Sequence, residues 1–276
     1  MALIQMNMFS KTLMRQVMVH VILPMDKLAD VDKPEREEKP YKTLYLLHGM
    51  YGNYMDWVSG TRIQRFAEEH ELAVVMPSGD NAFYVDQSKT NNFYGEFVGK
   101  ELVELTRRMF PLSRKREDTF IGGLSMGGYG AMRNGLKYHN TFGNIISLSG
   151  AFIIDELPRR TNEPAKFCER REYAESCFGD LDKLAESDMN PQFLVEKLLK
   201  EGAEVPKLYI ACGDKDSLLK GNQDFVDFLQ KKGVENTFVV APGDHEWDFW
   251  DTYIKKVIDW LPLDSVNRGR NSGNVD

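Results

Sequence analysis

The segment of this chain best suited to covalent chemistry is a serine set between glycines, Gly123-Leu124-Ser125-Met126-Gly127. An apolar run, Thr119 to Leu124, precedes the serine, and a helical pattern from Met126 to Tyr138 follows it. That setting describes a sharp strand-to-helix turn that lifts a hydroxyl clear of a sheet, with small residues where the strand and helix must approach closely. The turn also opens a helix, whose N-terminal end favours negative charge. The plain alternative for Ser125 is a helix N-cap, so the reading rests on its partners.

A hydroxyl attacks at neutral pH only with a general base beside it. Of the five histidines, His20 falls in an early strand, His48 before a glycine turn and His70 at a helix end. His139 ends the helix that Ser125 opens, about four turns away. His245 lies in a loop, Pro242-Gly243-Asp244-His245-Glu246, after the last strand. Where this elbow occurs the acid and then the histidine follow the serine in the chain, and only His245 fits. The base needs a carboxylate to orient it. Asp214 and Asp216, in Cys212-Gly-Asp-Lys-Asp-Ser217, are both placed for that role. Either could instead be a turn residue or a helix cap, and spacing alone does not separate them. Asp188 and Asp224 are poorer candidates.

A tetrahedral intermediate carries a negative oxygen that needs fixed donors. The backbone N–H of Met126, next to the serine, is one candidate. The N–H of Met50, in the loop His48-Gly-Met-Tyr-Gly52, is the other. Trp57, Tyr84 and Trp247 fall in segments expected to converge on the same sheet edge, where they would line a compact substrate pocket.

These groups need a sheet to hold them. Ile4 to Phe9 and Gln16 to Leu23 read as paired strands, and Asp26 to Pro40 as a surface connector. Buried strands are expected at Thr43–Leu47, Leu72–Met76, Thr119–Leu124, Asn144–Leu148, Lys207–Cys212 and Thr237–Ala241. Helices are expected at 60–70, 93–110, 126–138, 218–231 and 247–260. The alternation predicts an α/β fold, a mostly parallel sheet with helices on both faces. The segment 151–205 breaks the rhythm and is expected to form a small inserted cap on a single domain spanning 1–263. Residues 264–276 read as a mobile polar tail.

The chain has 276 residues, enough for one sizeable core. Its net charge of −7 argues against nucleic acid as a partner. The basic stretch Arg107, Arg108, Arg114, Lys115 and Arg116 reads as a solvated helix end and loop. Three cysteines, Cys168, Cys177 and Cys212, do not make a disulfide framework, although the first two could pair in a secreted protein. With no run long and apolar enough for a membrane span and no signal-peptide pattern, a cytoplasmic location is expected. Metal-binding motifs are not apparent, and no cofactor is expected. The partner is then a small-molecule ester, with room for a homo-oligomer.

Five stretches together resemble the esterase D-like branch of the α/β-hydrolases, in particular tributyrin esterases and bacterial feruloyl or acetyl esterases. They are Tyr45-Leu-Leu-His-Gly49, Val75-Met-Pro-Ser-Gly79 with Phe83-Tyr-Val-Asp86, Gly122-Gly-Leu-Ser-Met-Gly-Gly-Tyr-Gly-Ala131, Cys212-Gly-Asp-Lys-Asp-Ser-Leu218 and Gly243-Asp-His-Glu-Trp247. The resemblance spans most of residues 40 to 260. It implies Ser125 as nucleophile, Asp216 rather than Asp214 as acid, His245 as base, and Met50 and Met126 as oxyanion donors. S-formylglutathione hydrolases are related, but this chain has Tyr129 where their G-G-H-G version has histidine. The implied activity is hydrolysis of small acyl or hydroxycinnamoyl esters through an acyl-enzyme. A thioesterase, a peptidase of the same fold and a binding protein without activity are the competing readings.

Replacing Ser125 with alanine is expected to abolish ester turnover while leaving the thermal transition unchanged. Residual turnover above roughly a thousandth of wild type, measured with a p-nitrophenyl ester, would contradict the assignment.

Overall fold

A computed structural model of the chain describes residues 1–26 and 39–263. The expected tail at 264–276 and most of the expected connector lie outside the described residues.

Eight strands form the main sheet. They are β1 (Ala2–Ser10), β2 (Arg15–Leu23), β3 (Thr43–Leu47), β4 (Ala73–Pro77), β7 (Thr119–Leu124), β8 (Asn144–Leu148), β9 (Lys207–Gly213) and β10 (Asn236–Ala241). Two further short strands, β5 (Asp86–Gln87) and β6 (Asn92–Phe93), pair only with each other. The order across the main sheet is β1-β2-β4-β3-β7-β8-β9-β10. β1 and β2 form an antiparallel hairpin, β2 runs antiparallel to β4, and every later neighbour is parallel.

The apolar strands have this form because both faces are covered. Along β3, Leu44 and Leu46 join one core while Tyr45 and Leu47 join the other. The first face is covered by α1 (Asp56–Gly60), α2 (Ile63–Glu69) and α9 (Trp247–Trp260), through Trp57, Phe66 and Ile254. The second takes α4 (Leu102–Met109), α5 (Met126–Lys137), α7 (Pro191–Glu201) and α8 (Leu219–Lys231), through Leu102, Met132, Val195 and Phe225. A short helix, α3 (Tyr94–Glu96), leads through a π-helical turn at Phe97–Glu101 into α4.

Two expectations need adjustment. The helix expected at 60–70 starts later, as α2 at Ile63, and a separate helix, α1, ends at Gly60 before it. Thr61 between them is extended, its hydroxyl donates back to the Trp57 carbonyl, and Asp251 of α9 accepts the Arg62 N–H at 2.7 Å. A side chain distant in sequence therefore sets where α2 starts. Within 151–205, α6 (Arg171–Phe178) and three 3₁₀ turns precede α7, and α7 is part of the helical layer beside α5.

That segment is tied to α5 by a partly buried ion cluster. Arg133 has no exposed side-chain surface, and its guanidinium reaches Asp188 at 2.9 Å and Asp86 at 3.2 Å. Lys137 reaches the same two carboxylates at 2.7 and 3.0 Å. Burial pushes both carboxyls up, but the charges of Arg133 and Lys137 outweigh it and hold both below the usual carboxylate range. Groups with lowered pKa stabilise the fold above their unfolded-state value and lose that effect as pH falls through the folded one.

Arg133→Met should leave the two carboxylates with Lys137 as their cation and cost about 1–3 kcal/mol in urea denaturation at pH 7. The penalty should shrink as pH falls below the ordinary carboxylate range and through the lowered values these carboxyls have in the fold. An unchanged midpoint at pH 7 would show that the cluster contributes nothing net.

Candidate active site

At the end of β7 the chain turns on Ser125, whose φ of 54° and ψ of −119° place it in a region that side chains rarely adopt. Three hydrogen bonds hold it there. Its N–H donates to Leu148 O at 2.9 Å, and its carbonyl accepts from Tyr129 and Ala151 at 3.1 and 3.0 Å. The turn also needs a bare backbone next to it. A Cβ on Gly127 would stand 2.5 Å from the carbonyl oxygens of Leu47 and His48. The start of α5 therefore lies directly against the end of β3.

His245 reaches the serine from the loop after β10. Its Nε2 lies 3.0 Å from Ser125 Oγ, and its Nδ1 lies 2.9 Å from Asp216 Oδ2. The Asp216 side chain has no exposed surface, while that of His245 is 33% exposed, so the carboxylate is dry and the imidazole meets solvent. Burial pushes the Asp216 carboxyl up, but hydrogen bonds from His245 and from the Leu218 N–H (2.8 Å) outweigh it and hold it below its ordinary value. Asp216 is thus ionised at neutral pH and can only accept. The proton sits on Nδ1, and Nε2 is left to accept from the serine hydroxyl.

Asp214 does something else. Its carboxylate accepts the Gly243 N–H at 3.1 Å, and its own N–H donates to Ala241 O at 2.8 Å. It shapes the loop that carries His245, while Nδ1 of the imidazole pairs with Asp216.

The N–H groups of Met50 and Met126 lie on the two segments that meet at Gly127. Neither has a hydrogen-bond partner among the described residues. Met126 is the first residue of α5, where the first four N–H groups lack intrahelical partners.

Two of the three aromatics expected to line a pocket are turned inward. Trp57 and Tyr84 are 1% and 0% exposed, so neither ring presents a surface to a ligand. Tyr84 donates to His48 O and Trp57 to Leu47 O, both at 3.0 Å. Trp247 is half-buried, edge-on to both Trp57 and Trp250.

Other residues near the site had no sequence signal. Trp250 stands edge-on to His245 with ring centroids 4.9 Å apart, and its indole N–H donates to Ser149 Oγ at 3.1 Å. Ser149 itself has a φ of 49°. Tyr51, 77% exposed, follows Met50; Asn81 accepts its N–H, and its hydroxyl lies 3.1 Å from Cys168 Sγ. All three cysteines are free thiols.

A parallel sheet with a sharp serine turn at a strand end and a histidine–carboxylate pair on later loops defines an α/β serine hydrolase. Residues 10–259 match the family model described as "Putative esterase", and the chain belongs to that family. It is 44% identical over 261 residues to an acetyl esterase of Caldicellulosiruptor saccharolyticus, covering 95% of this chain and 98% of that protein. Two solved structures from Staphylococcus aureus are also similar. One, an S-formylglutathione hydrolase (FrmB), is 35% identical with a TM-score of 0.80. The other, the fluorophosphonate-binding serine hydrolase F, is 33% identical with a TM-score of 0.82. Each covers 94% of this chain and 98% of its own. The chain is a carboxylic-ester hydrolase of the serine type. Among the described residues, no helix is long and apolar enough to cross a membrane.

The two aspartates should separate cleanly by substitution. Asp216→Asn is expected to lower kcat by about a thousandfold or more, because an amide no longer holds the Nδ1–H tautomer. Asp214→Asn should change it only several-fold. The reverse ranking in steady-state kinetics would exchange their roles.

Proposed function

We propose that Ser125 is the nucleophile, His245 the general base and acid, and Asp216 the orienting carboxylate of an esterase that prefers short acyl groups. The observation that carries this reading is the continuous hydrogen-bond chain from Asp216 through His245 to Ser125, at 2.9 and 3.0 Å. Ser125 Oγ attacks the ester carbonyl carbon as its proton passes to His245 Nε2. The carbonyl oxygen becomes an oxyanion held by the N–H groups of Met50 and Met126. The intermediate collapses, the C–O bond to the alcohol breaks, and His245 returns the proton to the leaving oxygen. Water then gives a proton to His245 and attacks the acyl-enzyme, which releases the acid and restores Ser125.

Short acyl groups are favoured for two reasons. The relative at 44% identity is an acetyl esterase. The residues that follow the serine, Met126 and Tyr129, are 1% and 0% exposed and belong to the packed core, which leaves little depth behind the nucleophile. The segment 151–205, tied to the oxyanion loop through Tyr51 and Cys168, would act as a cap that narrows the mouth. Three free thiols accord with a reducing, cytoplasmic setting. A thioester reading is supported by the relative named as an S-formylglutathione hydrolase. In this chain Tyr129 is spent internally, its hydroxyl donating to Met189 O.

Across p-nitrophenyl acetate, butyrate and laurate, kcat/KM should fall by roughly a hundredfold or more, since a pocket wall excludes what it cannot fit. A flat or rising series would mean an open acyl groove. Adding methyl ferulate and S-formylglutathione to the same screen ranks the remaining substrate classes.

A further inference from the structure

We infer that Trp57, Tyr84 and His48 are positioning residues that aim the Met50 N–H by occupying three consecutive backbone carbonyls at the end of β3. The inference rests on the reading of Met50 as an oxyanion donor.

The three bonds form a series. Trp57 Nε1 donates to Leu47 O at 3.0 Å, Tyr84 Oη donates to His48 O at 3.0 Å, and His48 Nδ1 lies 2.6 Å from Gly49 O. The direction of the last bond follows from the other ring nitrogen. His48 Nε2 lies 2.8 Å from the Gly79 backbone nitrogen, which can only donate. Nε2 is therefore the unprotonated acceptor, and Nδ1 carries the proton that goes to Gly49 O. Burial holds the His48 pKa below its ordinary value, in keeping with a neutral ring.

Planarity of the peptide bond turns these contacts into aim. In a trans peptide the carbonyl of one residue and the N–H of the next point in opposite directions. Fixing Gly49 O on His48 thus fixes the Met50 N–H on the other side of the loop. Fixing Leu47 O and His48 O holds the two preceding peptide planes against rotation. Because a Cβ on Gly127 would run into those same two oxygens, the loop is packed directly against the start of α5 and so set relative to the Ser125 turn.

All three side chains are 1% exposed or less, so none can act by touching substrate. The surrounding sequence makes room for one of them. A Cβ on Gly79 would run into the Tyr84 ring, and one on Gly130 would stand 2.6 Å from it. A purely structural role would also satisfy buried polar atoms, so the test must separate aim from stability.

Tyr84→Phe and Trp57→Phe each delete one donor and keep an aromatic ring. The readouts are kcat and KM with p-nitrophenyl acetate, the inhibition constant of a trifluoromethyl ketone that forms an oxyanionic adduct, and Tm; Ser125→Ala is run alongside. In each variant kcat and the affinity for the ketone should fall together by about tenfold, with KM within about twofold of wild type, because a misdirected donor weakens only the charged adduct. If Tyr84→Phe does not fold, Trp57→Phe carries the same expectation. Variants with lowered Tm but wild-type kcat and ketone affinity, beside an inactive Ser125→Ala, would overturn the positioning role and leave the site reading intact. An active Ser125→Ala would overturn the site reading, and the inference with it.

Discussion

The contact between the start of α5 and the end of β3 governs the rest of this site. At Gly127 the helix backbone lies so close to Leu47 O and His48 O that one methyl group would not fit. That closeness accompanies the sharp turn at Ser125, with its positive φ, and it brings together two backbone segments that each carry an N–H group without a partner among the described residues. Packing of bare backbone on backbone is rigid, because no side-chain rotamer can take up slack. Groups that stabilise a developing charge must already be in place when the charge forms, and this contact provides such a frame.

Electrostatics then act on a fixed geometry. Asp216 is dry and ionised, and it sets the tautomer of an imidazole that reaches water on its other side. A carboxylate in that position costs desolvation, which its hydrogen bonds from His245 and Leu218 offset. Trp250 borders His245 and bonds to Ser149, so the imidazole is flanked by a ring that is itself held. The ion cluster around Arg133 works further out, fastening the segment at Asp188 to the helix that Ser125 opens.

Much of this was legible in the amino-acid order. Ser125 showed in its glycines, its preceding apolar strand and its following helix, because the turn tolerates little else. His245 was found by its place after the last strand. Asp214 and Asp216 were indistinguishable by spacing, since both sit just after β9; their roles differ only through loop geometry that local sequence does not encode. The aromatics show the opposite failure. Trp57 and Tyr84 lie in the segments that follow β3 and β4, but an indole N–H or a phenol can point inward to a carbonyl as readily as outward to a ligand, and here both point inward. His48 looked like an incidental residue before a glycine turn. Its tautomer is set by Gly79, 31 residues later in the chain. The break at Thr61 is invisible for the same reason, since Asp251 supplies the partner.

The central claim is that one serine, made nucleophilic by His245 and Asp216, carries the acyl group. Reaction with a fluorophosphonate followed by peptide mass mapping tests it most directly. The account predicts a single adduct, on the peptide containing Ser125, that forms far more slowly once His245 is replaced by alanine. An adduct on another residue, or labelling of Ser125 at an undiminished rate without His245, would contradict it.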